Sequence, residues 1–326
     1  MRKTHQKIQS WYQQNGRLDL PWRITDDPYH IYLSEIMLQQ TQVKTVLDRY
    51  YFPFLKRFPT LKILSEAPLD DVLKLWEGLG YYNRAKNLHK TAQLLSQNQT
   101  QGVALTLPST IEELMALPGI GKNTAHAIAA FAFGQPVPIM EANVRRILSR
   151  LHQLKTPTDK VLWEIAYDMT DKEIPFDYNQ AMMDIGATLC TPRTPRCDCC
   201  PLTKVCQGKK APTDYPAKKK RVVPIKEQYI MLILHNGKLS MQQRTGKFLH
   251  GLWGFEVIEA PLCASEYLGE VTHAYTHFKL VCKVYLHHTA DKEGKLYFAP
   301  KEIIRTLAIS KVDEKILQLY LGKEQP

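Results

Sequence analysis

The stretch LPGIGKNTAHAIAAFAF, Leu117–Phe133, decides the fold. Gly119 and Gly121 lie in a tight turn between a short segment of helical periodicity, Ile111–Leu117, and a longer one that begins near Lys122. Glycines in such a turn let the backbone come close to another molecule. The free N–H groups at the start of the second helix then point toward that molecule and suit a phosphate. Taken alone, the turn serves equally well as a plain helix-helix connection, so its meaning depends on what surrounds it.

On both sides the pattern is helical. In HIYLSEIMLQQTQV (His30–Val43), PLDDVLKLWEGLG (Pro68–Gly80), YYNRAKNLHKTAQLL (Tyr81–Leu95) and TDKVLWEIAYDM (Thr158–Met169), apolar residues recur at three- and four-residue steps. The helical half closes on four cysteines, Cys190, Cys197, Cys200 and Cys206, spaced C-x6-C-x2-C-x5-C. Four clustered thiolates ligate either a zinc ion or an iron-sulfur cubane. The N-terminal residues MRKTHQKIQSWYQQNG do not read as a secretory signal, and no apolar run is long enough to span a membrane. A reducing cytoplasm is therefore expected, which disfavours disulfides. Zinc sites usually pair two C-x2-C units, whereas one such unit flanked by wider, unequal arms favours the cluster, and the upstream hairpin strengthens that reading. Cys199, Cys263 and Cys282 fall outside the spacing and are set aside as non-ligands.

At 326 residues and 44% hydrophobic content the chain is long enough for two or three domains with proper cores, and disorder is excluded as its theme. Its net charge of +11 favours a polyanionic partner, since neutralising phosphates with Lys and Arg releases counterions. Charge alone does not establish nucleic-acid binding. Residues Gln207–Lys226 carry seven Lys or Arg against one Asp, with three prolines, and read as an exposed basic linker. Short strands follow: EQYIMLILH (Glu227–His235), KLSMQQRT (Lys238–Thr245), LWGFEVIE (Leu252–Glu259) and FKLVCKVYLHH (Phe278–His288). Asn236-Gly237 is a hairpin-turn signal, and two helices are expected near Pro300–Leu307 and Lys311–Leu321. The expected architecture is multidomain. An all-α domain spans residues 1–206, with its hairpin at about 111–134 and its cysteine loop at 190–206, and a small α+β domain spans 227–326.

Together, the hairpin LPGIGKNTA, an acidic residue about 20 positions later and the cysteine spacing resemble the helix-hairpin-helix superfamily of base-excision glycosylases. Within it the chain is similar to the MutY-type adenine DNA glycosylases. The likeness runs from LPWR (Leu20–Arg23) through SEIMLQQTQV (Ser34–Val43), GLGYYNRAKNLH (Gly78–His89) and NQAMMDIGA (Asn179–Ala187), and more weakly into the C-terminal half. The resemblance implies a 4Fe-4S cluster on Cys190, Cys197, Cys200 and Cys206. It also implies a monofunctional enzyme that flips adenine from A:8-oxoguanine or A:G pairs in double-stranded DNA and hydrolyses its N-glycosidic bond.

Glu35 is the only charged residue in IYLSEIML; surrounding apolar surface should raise its pKa and suit it to protonating the leaving base, the role the resemblance assigns it. A helix-surface glutamate is the plain alternative. The family's second carboxylate, an aspartate that steadies the sugar cation, is replaced here by Glu141 in IMEANV, one methylene longer. An active enzyme with a modified second carboxylate is expected, with retargeted specificity as the alternative. Resemblance further assigns Trp22, Arg23, Gln180, Asn143 and Asn123 to substrate binding, and Gln40 and Tyr81 as wedges in the base stack. Asn123 stands where the lyase members carry a Schiff-base lysine, so covalent lyase chemistry is not expected there.

Gly119, Gly121 and Lys122 are expected to grip DNA backbone, and Lys204, Lys209 and Lys210 to contact phosphates. The C-terminal half resembles the MutT-like (Nudix-like) domain that reads 8-oxoguanine, through TGKFLHGLWGFEV (Thr245–Val257) and a loop whose Phe-Ser-His is here Tyr275-Thr276-His277. No glutamate-rich Nudix box is present, so nucleotide hydrolysis is not expected. A monomer in the bacterial cytoplasm, associated with the nucleoid and with unnamed repair partners, completes the expectation. The rival from another class is a DNA-binding iron-sulfur redox sensor without turnover, and retention of Glu35 with the wedge residues argues against it.

Overall fold

The computed structural model describes residues 2–98, 104–217, 223–246, 248–290 and 294–323. Part of the basic stretch (218–222) and Lys247 of the TGKFLHGLW motif lie outside the described residues. Contacts divide the chain into two compact units, one of Met1–Tyr51, Leu55–Ser65 and Lys90–Lys220, the other of Phe52–Phe54, Glu66–His89 and Arg221–Pro326.

The first unit is helical. The Pro28–Leu38 helix starts at Asp27, whose side chain accepts a 2.8 Å hydrogen bond from the Tyr29 amide, with Pro28 in the first turn where its missing N–H costs nothing. Thr110 and Thr158 cap the Ile111–Ala116 and Asp159–Met169 helices in the same way. The periodicity over His30–Val43 predicts one helix, but the chain forms two. The first ends at Leu38, Gln40 takes a left-handed φ of 57°, and a second helix runs Val43–Arg49. The polar run QQTQ supplies no apolar face to hold the intervening turn helical.

A core of Ile8, Tyr12, Ile147, Leu148, Leu162 and Ile185 joins the Arg2–Asn15, Ala142–Leu151, Asp159–Met169 and Pro175–Thr188 helices. A smaller cluster of Ile31, Ala127, Ala130, Phe131 and Ile139 packs the Pro28–Leu38 helix on Lys122–Phe133. Each such buried side chain is worth about 1.5–3 kcal/mol, which fixes the Glu35-bearing helix against the hairpin.

Among the described residues the second unit carries seven strands: β1 Ile225–His235, β2 Lys238–Gln243, β3 Trp253–Gly254, β4 Glu256–Ile258, β5 Glu266–Ala274, β6 Lys279–His288 and β7 Leu296–Phe298. Their order is β3-β2-β1-β6-β5, with β4 also paired to β1 and β7 to β2. The central β1 and β6 run parallel, Ile225 opposite Lys279 through Leu234 opposite His288. Pro300–Thr306 and Lys311–Lys323 are helical, and Ile303, Ile316, Leu317 and Tyr320 enter the same core as Ile230, Leu232 and Val284.

Residues 66–89 are wired into this unit. Lys74 Nζ donates to the Ile304 and Leu307 carbonyls at 2.6 and 2.9 Å, and the Tyr82 hydroxyl to that of Ile309 at 3.2 Å. Within this segment the helix Leu69–Leu75 stops short of the expected Gly80, because Gly78 and Gly80 take left-handed backbone. No helix among the described residues is long and apolar enough to cross a membrane.

Candidate active site and nucleic-acid interface

Glu35 and Glu141 come together from different parts of the helical unit. Glu35 lies in the last turn of the Pro28–Leu38 helix, and Glu141 is the N-cap residue of Ala142–Leu151. Burial pushes the Glu35 carboxyl well above the ordinary carboxylate range; the neighbouring Glu141 charge adds to the rise and Arg23 opposes it. Burial raises Glu141 as well. Ionising both carboxyls is therefore disfavoured, and the pair holds a proton more tightly than two isolated carboxyls would. The helix N-terminus favours the ionised form of Glu141, whereas Glu35 sits in the last turn of its helix, where the dipole disfavours a negative charge, so the proton is better placed on Glu35.

Arg23, on the short 3-10 turn Pro21–Arg23, is buried beside this pair. Its two terminal nitrogens donate to Asp184 at 2.8 and 2.9 Å, and its Nε has no hydrogen-bond partner. Its guanidinium therefore faces Asp184 with the edge that resemblance would use to read a base. Arg17 completes the cluster, its backbone N–H donating to Asp184 at 2.9 Å and its Nε at 2.8 Å. Burial alone would raise Asp184, but the hydrogen bonds from Arg23 and Arg17 overcome it and hold that carboxyl below its ordinary range.

Asp184 and Arg17 were not singled out from the sequence. The signal was present, because Asp184 is the one charge in QAMMDIGA, the same pattern that marks Glu35 in IYLSEIML. Gln180 lies one helical turn from Asp184 and is buried. Trp22, also buried, meets Tyr51 edge-on with ring centroids 5.1 Å apart. Asn143 accepts a 2.9 Å hydrogen bond from Arg146, and a Cβ built on Gly186 would stand 2.5 Å from the Asn143 Cβ, so the two helices touch here through the absence of a side chain.

The hairpin is formed as expected between Ile111–Ala116 and Lys122–Phe133. Gly119 has φ 74°, while Gly121 has ordinary extended backbone and a Cβ built on it meets no protein atom within 4 Å. The protein's own packing thus does not require glycine at 121, and its bareness leaves the helix N-terminus open to close approach. Lys122 lies over the Trp163 ring at 4.0 Å, and Asn123 is exposed in an open groove of about 1100 Å³ with Lys122, Arg145, Lys160 and Trp163. Neither is grouped with Glu35; both face the hairpin groove.

Gln40 is exposed on its left-handed turn. Tyr81 also has positive φ, 51°, and is 42% exposed. Within the second unit Tyr81 shares a cavity of about 620 Å³ with Tyr275, Thr276 and His277, and its hydroxyl makes a short hydrogen bond with that of Thr276. Tyr275 packs against Phe248, His273 and Phe278; its hydroxyl is buried without a partner, and burial raises its pKa. Phe248 and His273, which fall inside the matched stretches TGKFLHGLWGFEV and HAYTHF without a role of their own, also line this cavity.

Cys190, Cys197, Cys200 and Cys206 line one small cavity together, whereas Cys199 is exposed outside it. Burial raises the Cys200 thiol to about 11, and neighbouring cysteines add to the shift. Arg150, unmarked by sequence, donates to the Cys190 sulfur at 3.2 Å and the Thr191 carbonyl at 2.8 Å. Arg146, one turn earlier, donates to the Cys190 carbonyl at 2.7 Å. Among the described residues, no three His, Cys, Asp or Glu are drawn in tightly enough to hold a single metal ion. Lys204 is exposed, as are Lys209 and Lys210 beyond it in a short 3-10 turn.

Residues 33–167 match the HhH-GPD superfamily of base excision DNA repair proteins. The adenine DNA glycosylase of Buchnera aphidicola subsp. Baizongia pistaciae (strain Bp) is 38% identical over 256 residues, 76% of this chain and 71% of that protein. The adenine DNA glycosylase of Homo sapiens is 30% identical, with 97% of this chain and 73% of that protein covered. Among solved structures, a thermostable thymine-DNA glycosylase superposes with a TM-score of 0.57 at 28% identity, over 64% of this chain and 97% of its own. A trapped endonuclease III–DNA covalent intermediate gives 0.54 at 21% identity, over 64% and 95%, a likeness of fold. With its hairpin, its helical unit and relatives matched over most of their length, this chain belongs to the adenine DNA glycosylases of the helix-hairpin-helix base-excision repair superfamily.

Proposed function

We propose that this protein hydrolyses the N-glycosidic bond of adenine paired with 8-oxoguanine, or with guanine, and leaves an abasic site without cutting the strand. The observation that carries this reading is that the fold brings Glu35 and Glu141 together beside Arg23, two half-buried carboxyls whose desolvation makes them reluctant to ionise. Glu35, protonated at neutral pH, donates its proton to the flipped adenine as the bond breaks. Glu141, ionised at its helix N-terminus, steadies the positive charge that develops on the deoxyribose. Water then takes the sugar carbon. Asn123 offers no amine for a Schiff base, which supports hydrolysis without lyase chemistry.

Trp22 and Gln180 are the proposed walls of the adenine pocket, with Asn143 beneath and Arg23 as a fixed positive charge. Flipping costs a few kcal/mol of lost stacking, and Gln40 and Tyr81 are proposed to fill the gap. The second unit is proposed as a MutT-like reader of the oxidised base through Tyr275, Thr276 and His277. Their shared cavity with Tyr81 supports this, because one loop would meet the lesion's edge while its neighbour enters the stack. Gly119, Gly121, Lys122, Lys204, Lys209 and Lys210 are proposed contacts to the DNA backbone.

Cys190, Cys197, Cys200 and Cys206 would hold a 4Fe-4S cluster. A zinc ion at about 2.3 Å from each sulfur would require all four thiols to crowd one point, whereas a cubane offers each thiolate its own iron. Four cysteines lining one cavity, spaced as a single C-x2-C with wider, unequal arms, support the cubane reading. Bound there, the cluster cross-links the 190–206 loop. Brown visible absorbance with about four irons per chain is expected; zinc in place of iron would refute the assignment.

Single-turnover cleavage of duplexes containing A:8-oxoguanine, A:G and T:G tests the function. Release of adenine from the first, fastest, and none of thymine from the third is expected. Thymine release would transfer the reading to the activity named for the thymine-DNA glycosylase that this chain resembles in structure.

A further inference from the structure

Asp184 belongs to none of the roles proposed above, yet it is the most heavily hydrogen-bonded side chain beside the carboxylate pair. Its Oδ1 accepts from Arg17 Nε at 2.8 Å, from Arg17 Nη2 and from Arg23 Nη2 at 2.9 Å. Its Oδ2 accepts from the Arg17 amide at 2.9 Å and from Arg23 Nη1 at 2.8 Å. A carboxylate has about four lone-pair sites, so Asp184 is saturated. It is wholly shielded from solvent and Arg23 nearly so, while Arg17 keeps one third of its side-chain surface exposed. Arg23 also donates to the Arg17 carbonyl at 3.2 Å. Its guanidinium cannot rotate toward Glu35 or away from it without breaking both bonds to Asp184.

We infer that Asp184 is a positioning residue for the base-release step: it locks the Arg23 guanidinium in place and, with Arg17, sets the local charge against which Glu35 and Glu141 share one proton. The inference rests on the catalytic reading of Glu35. The charges balance. Arg17 and Arg23 against Asp184 leave one positive charge, and two carboxyls holding one proton leave one negative. Glu35 feels Glu141 and Arg23 directly. On the far side, Tyr12 of the first helix faces Arg23 and Asp184, with Asp177 beyond it. Burial first, with the two aspartates, keeps the Tyr12 phenol protonated, so it does not alter the sum. Removing the Asp184 charge leaves two uncompensated guanidinium groups, which pull the shared proton off at lower pH. Removing Arg17 has the opposite effect.

The test is the pH profile of single-turnover adenine release by full-length wild type, Asp184→Asn and Arg17→Met. The alkaline limb, where the acid is lost, is expected to move down by roughly one pH unit in Asp184→Asn and up by a smaller amount in Arg17→Met. Shifts of opposite sign do not arise from general loosening of the fold. If both limbs stay at the wild-type position, whatever happens to rate or melting temperature, Asp184 is a structural ion-pair partner only and the inference fails. If Asp184→Asn does not fold, the direction of the Arg17→Met shift decides. Glu35→Gln runs alongside: a wild-type rate overturns the catalytic reading itself, while an inactive Glu35→Gln together with unmoved limbs in Asp184→Asn and Arg17→Met overturns only the role of Asp184.

Discussion

Arg23–Asp184 in the helical unit and Arg244–Asp313 in the sheet unit have the same local form, an aspartate with no exposed surface gripped by both terminal nitrogens of an arginine. Their surroundings differ. Asp313 also accepts from the Ser310 hydroxyl at 2.5 Å and the Phe255 amide at 3.4 Å, and Arg244 donates to the Trp253 carbonyl at 3.1 Å. Burial would lower Arg244, but Asp313 more than compensates and keeps it firmly charged. That network is closed and holds the end of β3 to the Lys311–Lys323 helix. The Arg23 network is open: one nitrogen lacks a partner, and next to it lie two carboxyls that burial makes reluctant to ionise. Closed charge networks make structure, and an arrangement with unspent polarity beside a cleft marks chemistry.

Neutralising Glu35, the carboxyl beside the open network, should remove activity with little loss of stability. Glu35→Gln is expected to slow adenine release by about a thousandfold or more, measured in single turnover. It should also raise the melting temperature. A carboxyl whose folded pKa lies above its unfolded one contributes stability that is fully present below the unfolded value and is lost as pH rises through the folded value. The melting-temperature advantage of Glu35→Gln over wild type should therefore grow as pH climbs above the ordinary carboxylate range, to about 2–4 °C. An advantage that shrinks with rising pH would contradict the raised pKa.

Breaking the closed network should do the reverse. Asp313→Asn strands the Arg244 charge in the interior and is expected to cost about 3 kcal/mol, read by denaturant unfolding, with adenine release per folded molecule near wild type at low temperature. A large catalytic loss without destabilisation would erase the contrast. Gly186→Ala drives a methyl into Asn143 and should cost about 2 kcal/mol by the same measurement, since backbone rather than a flexible tip must move. Thr276→Val has the smallest expected effect. Loss of one hydroxyl should reduce the preference for A:8-oxoguanine over A:G by about 5–10-fold, consistent with a single hydrogen bond of roughly 1 kcal/mol.

Periodicity and composition made much of this legible. The hairpin helices, the Asn236-Gly237 turn, β1, β6 and both terminal helices stand where pattern puts them. β5 escaped because EYLGEVTHA breaks its alternation at Gly269, where the register with β6 slips and φ is 142°. LWGFEVIE reads as one strand but divides at Phe255 into β3 and β4, which pair with different partners. In the candidate site Glu35 was visible as a lone charge in apolar sequence, and Glu141 only through its match to the family's second carboxylate. Arg17 carries no such mark; it lies in a polar stretch, and only the fold brings it to Asp184 across 167 positions.

Gln40 and Tyr81 remain the two wedge assignments, and both occupy left-handed backbone that costs a non-glycine residue on the order of 1 kcal/mol. Such a turn narrows the directions in which a side chain can leave the chain before any partner arrives. Ordering a free aromatic side chain at an interface costs about 0.5–1.5 kcal/mol, and a ring already restricted loses less on insertion. At position 81 glycine would relieve the backbone but surrender the ring, and phenylalanine would keep the ring but lose the hydroxyl shared with Thr276. Under the proposed wedge role, the strain held in this turn would speed engagement, because the tyrosine is restricted before the duplex arrives.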